Sequence, residues 1–98
     1  MAQVIFFNSY KLKKSTCPDE LMQAINALHN EHIKKQPGFI TASIMQDGET
    51  WADSITFETM QHAQTFVLQP PNELAKNFYA LININSCKTN FFTIQKEF

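Results

Sequence analysis

An α+β fold built in the order β-α-β-β-α-α-β is predicted by three features of this 98-residue chain. β-prone runs, of which Val4-Ile5-Phe6-Phe7 is the first, alternate with segments whose apolar residues recur every three or four positions. Asp47-Gly48 separates two alternating runs, as a hairpin turn does. Pro37-Gly38 and Pro70-Pro71 stand where helical periodicity stops. The length suits a single domain, 1–98, with one core.

Residues 3–13 read as the first strand. Val4 and Phe6 lie on one parity and Ile5 and Phe7 on the other, so this strand has two apolar faces and belongs in the middle of a sheet covered on both sides. The first helix follows. Ser15, Thr16 or Cys17 can cap it, Pro18 suits its first position, and Asp19 and Glu20 favour its positive end. Leu21, Ile25 and Leu28 make its apolar stripe, with Met22 and Ile33 beside it, and Lys34 and Lys35 fall in its last turn.

Residues 39–46 and 49–57 then pair as a hairpin. With Asp47 and Gly48 as the two central turn residues, Gln46 faces Glu49, Ile44 faces Trp51, Ala42 faces Asp53 and Ile40 faces Ile55. One side of the hairpin is therefore apolar with a single carboxylate, Asp53; the other, from Thr41 to Thr56, is small and mildly polar. A second helix starts at Glu58 or Thr59, carries Met60, Ala63, Phe66 and Val67, and breaks at Gln69-Pro70-Pro71. A further helix runs from Asn72 to about Ala80 with Leu74, Phe78 and Leu81 at helical spacing. Residues 83–98 form the last strand, with a bend near Ser86.

Right-handed β-α-β crossovers place the first and third strands in the centre. The result is a ferredoxin-like βαββαβ topology: a four-stranded antiparallel sheet with its helices on one face. The other face is bare and has apolar content on the first strand, so a second copy of the chain is the expected partner.

Net charge is −1 and the densest basic run is Lys11, Lys13 and Lys14, which is no stripe for nucleic acid or a membrane surface. No apolar run approaches the ~20 residues that cross a bilayer. The start, MAQVIFF, lacks a basic leader region, so a cytoplasmic location is expected. Cys17 and Cys87 make no disulfide framework and no zinc spacing. His29 and His32 lack both the i,i+4 spacing of helical metal ligands and an evident third ligand, so no metal is expected. Gly38 and Gly48 are both taken by turns, which leaves no glycine-rich phosphate loop.

The Pro37-Gly38-Phe39-Ile40 step, the Asp47-Gly48 hairpin and the run from Trp51 to Met60, which passes from a strand ending in an aromatic into a helix with Ala63, carry a resemblance over nearly the whole chain. The chain resembles the dimeric α/β-barrel superfamily, of which antibiotic biosynthesis monooxygenase (ABM) domains are one group. The resemblance implies that two bare sheet faces meet to close a barrel and that each subunit has a pocket between sheet and helices. Members include oxygenases that work without a cofactor on polyketide quinol-type substrates, haem-degrading enzymes and proteins of unknown role, so it implies no single activity. Haem-degrading members use an Asn on the first strand, a Trp and a His on a helix. Asn8 alone carries over; Trp51 begins its strand and His62 sits in no matching motif.

Asp53 is the residue with the most chemical content. On an apolar face a carboxylate must be paired, by a group such as Tyr10, or carry a raised pKa suited to taking a proton. His32 continues the stripe of the first helix toward the same face. Asp53, His32 and Asn8 are the candidate catalytic residues; Trp51, Tyr10 and Phe6 are the candidate ligand-binding ones. Three readings follow: a monooxygenase that uses no cofactor on a small aromatic substrate, a non-catalytic dimer that binds a small molecule or haem, and a structural or interaction dimer.

Overall fold

The structure, a computed structural model, describes residues 2–98. Four strands, β1 (Val4–Leu12), β2 (Phe39–Asp47), β3 (Thr50–Phe57) and β4 (Ile82–Thr93), form one antiparallel sheet in the order β2-β3-β1-β4. Helices α1 (Pro18–Glu31), α2 (Met60–Leu68) and α3 (Glu73–Tyr79) accompany it, and a 3₁₀ turn, Ile33–Lys35, follows α1. This is the ferredoxin-like arrangement expected, with β1 and β3 central.

Each helix begins where its side chains satisfy free backbone donors. The Cys17 backbone N–H donates to Glu20 Oε1 at 3.1 Å at the start of α1. Thr59 Oγ1 accepts from the His62 N–H ahead of α2, and Asn72 Oδ1 accepts from the Ala75 N–H ahead of α3. The α1 helix stops at Glu31, short of the lysines expected in its last turn, because His32 leaves helical geometry and hands the chain to the 3₁₀ turn.

Two local expectations are corrected. Asp47 pairs with Thr50, so Gly48 and Glu49 are the central turn residues in place of Asp47 and Gly48. Gly48 has φ of +58°, and no other kind of residue among those described takes positive φ. A turn with glycine at its first central position needs positive φ only there, which spares Asp47 that conformation. The pairing consequently slips by two residues: Ile44 faces Asp53, Ala42 faces Ile55 and Gln46 faces Trp51. An even slip keeps the side chains from Thr41 to Phe57 on their expected faces. The second correction concerns Ile40. A bulge between Phe39 and Thr41 puts Phe39 opposite Phe57 and leaves Ile40 on the surface.

The core lies between the sheet and the helices. Val4 and Tyr10 from β1, Trp51, Ile55 and Phe57 from β3, and Ile82 from β4 meet Leu21 and Leu28 of α1, Ala63 of α2 and Phe78 of α3. The β1–β4 register shifts between Ser9 and Lys11, and Ser86 holds the irregularity: its hydroxyl accepts from the Lys11 N–H and donates to the Asn83 carbonyl. The opposite sheet face carries Phe7, with its ring 6.0 Å from that of Phe92, and Phe92 is 52% exposed.

Candidate functional site

A cleft of about 370 Å³ opens between the sheet and the helices. Its walls are aromatic: Phe6 and Phe91 from the sheet, Phe66 from α2, and Phe78 and Tyr79 from α3. The α2–α3 connection, Gln69-Pro70-Pro71-Asn72, forms one rim. The two prolines that break the helix there also hold that rim in a restricted backbone. Strand alternation aims the floor. Phe6, Asn8 and Tyr10 share one face of β1, and the β1–β3 register sets Asn8 opposite Asp53.

The polar part of the floor is a short chain of hydrogen bonds. Tyr10 Oη donates to Asp53 Oδ1 at 2.9 Å. Beside it, Thr89 Oγ1 donates to Asn8 Oδ1 at 2.9 Å. No buried side-chain N or O atom among the described residues lacks a partner. Asp53 Oδ2 and Asn8 Nδ2 have no protein partner, so neither atom is fully enclosed, and both residues line the cleft. An acceptor and a donor therefore stand together at the bottom of an aromatic slot.

Burial dominates the electrostatics. Loss of water pushes the Asp53 carboxyl up from its ordinary 3.8 to about 6, against the opposing pull of the Tyr10 hydrogen bond. Burial, followed by the negative charge and hydrogen bond of Asp53, raises the Tyr10 phenol well above its usual range, so Tyr10 stays protonated as the donor. Burial also raises the thiol of Cys87 and the phenol of Tyr79, with Asp53 contributing to both.

His32 lies across the cleft from this floor and lines the same space, with its ring 6.0 Å from that of Phe66. Gln36 Nε2 sits 3.3 Å from His32 Nδ1, and Gln36 Oε1 accepts from Gln69 Nε2 at 2.8 Å. The histidine is thereby linked to the rim. Asp53 also lines a smaller cavity of about 200 Å³ on the β2 side, with His29, Ile25 and Ile44.

Of the six residues singled out in the sequence, Asp53, His32, Asn8 and Phe6 line the cleft. Trp51, expected to shape it, and Tyr10 line neither cavity. Trp51 pairs with Tyr10 and Gln46 in the sheet and packs into the core, while Tyr10 backs Asp53 from below. Thr89, Gln69, Asn72 and the rings of Phe66, Phe78, Tyr79 and Phe91 were not anticipated as part of the site. The Gln69-Pro-Pro-Asn72 breaker was the available signal, since a rigid connection beside a pocket is a natural rim. Among the described residues, no group of three or more His, Cys, Asp or Glu side chains is placed to hold a metal ion, and no helix is long and apolar enough to cross a membrane.

No protein-family model and no curated protein sequence matches the chain. Its fold, by contrast, matches solved structures over almost its whole length. SnoaB of Streptomyces nogalater, described as a cofactor-independent oxygenase, superposes with a TM-score of 0.79 over 99% of this chain and 97% of its own, at 17% identity. The ActVA-Orf6 monooxygenase of Streptomyces coelicolor, in complex with Nanaomycin D, gives 0.72 over 99% and 91% at 15% identity. A dimeric protein of unknown function from Bacteroides fragilis gives 0.66 over 94% and 96% at 17% identity. At these identities the likeness establishes the fold: a ferredoxin-like layer of the kind that ABM-like monooxygenases share with dimeric proteins of unknown role.

Proposed function

We propose that the chain is a homodimeric monooxygenase that works without a bound cofactor on a small hydroxylated aromatic compound. The observation that carries this reading is the Asp53 carboxyl, with one oxygen accepting from the Tyr10 hydroxyl, open to an aromatic cleft and poised near neutrality. A base whose pKa lies near the working pH combines the right protonation state with useful proton affinity. SnoaB and ActVA-Orf6, which share the fold, are oxygenases by description, and SnoaB by description needs no cofactor.

In the proposed reaction the substrate ring lies between the phenylalanines. Asp53 takes the proton of a hydroxyl whose para position carries hydrogen, and the Asn8 amide N–H stabilises the charge on the resulting oxygen. The anion reduces dioxygen. One oxygen atom forms a carbonyl at the para carbon; the other leaves as water with the two hydrogens the substrate gives up, and the product is a quinone. His32, across the cleft, is placed to pass a proton to the departing oxygen. Tyr10 acts as a positioning residue that orients Asp53.

Recording oxygen uptake with a panel of naphthols and dihydroxynaphthalenes tests the reading. One quinone should form per dioxygen consumed, and Asp53→Asn should lower the rate by about a hundredfold or more. Uptake untouched by Asp53→Asn removes Asp53 from the chemistry. Tight binding with no uptake by the wild type instead supports the ligand-binding alternative.

The dimer rests on the uncovered sheet face. Phe92 at 52% and Met45 at 42% exposure lie there with the half-buried Phe7 and Ile5, apolar surface that a second copy would cover. The Bacteroides fragilis and Thermobifida fusca proteins of this fold are dimeric by description. Light scattering should read twice the 11.3 kDa chain mass, and Phe7→Glu should return the single-chain value. A wild-type mass of one chain at micromolar concentration contradicts it.

A further inference from the structure

The cleft is unusual in what it lacks. The chain has no arginine, and its eight lysines all lie at exposed positions, none of them lining the cleft. The ionisable side chains that do line it are Asp53, His32 and Tyr79. The neutral donors at its floor are the Asn8 amide and the Thr89 hydroxyl, and the latter already serves Asn8. At the rim, where Asn72 and Ala75 line the cleft, Asn72 Oδ1 is already taken by the Ala75 N–H. A ligand carboxylate placed here would meet no permanent cation. It would lie among aromatic rings, where charges are poorly screened, within reach of Asp53 Oδ2.

We propose that the cleft is charge-selective: it takes uncharged hydroxylated aromatic compounds, rejects their carboxylated counterparts, and uses Asp53 as the discriminating group. This rests on the reading of the cleft as a substrate site and narrows its substrate class. Two features fit the same chemistry. A phenol hydroxyl donates to Asp53 Oδ2 and accepts from Asn8 Nδ2, which satisfies both open floor atoms, whereas a carboxylate can only accept and leaves Asp53 facing a like charge. The volume of about 370 Å³ accommodates a two- or three-ring ligand, so a ring substituent near the hydroxyl falls close to the floor, not out in solvent.

Calorimetry without oxygen at pH about 8, where an isolated carboxylate is ionised and a naphthol is not, separates the outcomes. The probes are 1-naphthol and 1-hydroxy-2-naphthoate, which differ by the carboxylate alone. The neutral compound should bind at least about tenfold more tightly to the wild type. Asp53→Asn should bring the two affinities within about threefold, and Gln69→Arg, which adds a cation at the rim, should improve binding of the naphthoate relative to the naphthol. Equal binding of both probes to the wild type overturns charge selection and leaves the cleft as a ligand site. A wild-type preference that Asp53→Asn does not reduce overturns Asp53 as its source. Failure of both probes to bind overturns the cleft reading and the selectivity together.

Discussion

Asp53→Asn is expected to make the folded chain more stable than the wild type above neutrality, and to leave stability nearly unchanged below pH about 4. The sign follows from the proton balance. Asp53 has a folded pKa of about 6 against an ordinary 3.8, so between those values the folded state binds more protons than the unfolded one. Stability contributed by protonated Asp53 is therefore full below 3.8 and is lost as pH rises through about 6. At ~1.4 kcal/mol per pH unit the loss amounts to about 3 kcal/mol, a large part of what a small domain has. The asparagine keeps an oxygen for the Tyr10 hydroxyl and has no charge to desolvate. Urea denaturation of both proteins across this pH range measures the effect as a difference, which cancels the other carboxylates. Parallel curves for the two proteins contradict it. A carboxylate that costs stability at neutral pH, in the position where the proposed reaction needs a proton acceptor, is the pattern expected of a working group whose cost the rest of the fold offsets.

Gly38→Ala is expected to cost about 3 kcal/mol, from backbone strain and overpacking together. Gly38 has φ of +79°, which side-chain-bearing residues rarely adopt. A Cβ there would run into the imidazole ring of His62, against a side chain that cannot swing away freely. That ring is held by the 2.7 Å contact between its Nδ1 and Thr59 Oγ1, at the cap of α2. The Gly38 carbonyl meanwhile accepts from the Glu58 N–H at 2.8 Å and ties the start of β2 to the exit of β3. A chemical denaturation midpoint well below that of the wild type is the expected result. Adding His62→Ala to Gly38→Ala should restore the part due to the clash but not the part due to φ, so the two changes should be non-additive. An alanine tolerated within about 0.5 kcal/mol contradicts the packing described.

Much of this architecture was legible in the residues. The alternation of apolar and polar positions assigned the two hairpin strands their faces, and the helix starts at Thr59 and Asn72 and the breaks at Pro37 and Pro70 marked the helices. The faces survived the register error at Asp47-Gly48 because a slip by two preserves parity. That error still mattered, since it set Ile44 opposite Trp51 and Ala42 opposite Asp53, where the structure sets Ile44 opposite Asp53. Turn composition alone did not say which residue would take the single positive φ. Asp53 stood out because a carboxylate on an apolar face must be accounted for. Its partner Tyr10 lies 43 residues away on a strand joined to it by no short turn, so their hydrogen bond depends on a β1–β3 register that tertiary packing sets. The aromatic walls were hidden for a related reason: Phe66, Phe78 and Phe91 sit on three different elements, and each looks like an ordinary core residue until the sheet brings them together.

The direct test is a carbon-13 NMR titration of the Asp53 side-chain carboxyl in the folded protein, with Asp53→Asn used to assign the resonance. A midpoint of about 6 is expected, shifting upward in Tyr10→Phe, where the hydrogen bond that holds it down is gone. A midpoint near the ordinary 3.8, or one indifferent to Tyr10, contradicts the claim that the cleft keeps a desolvated proton acceptor.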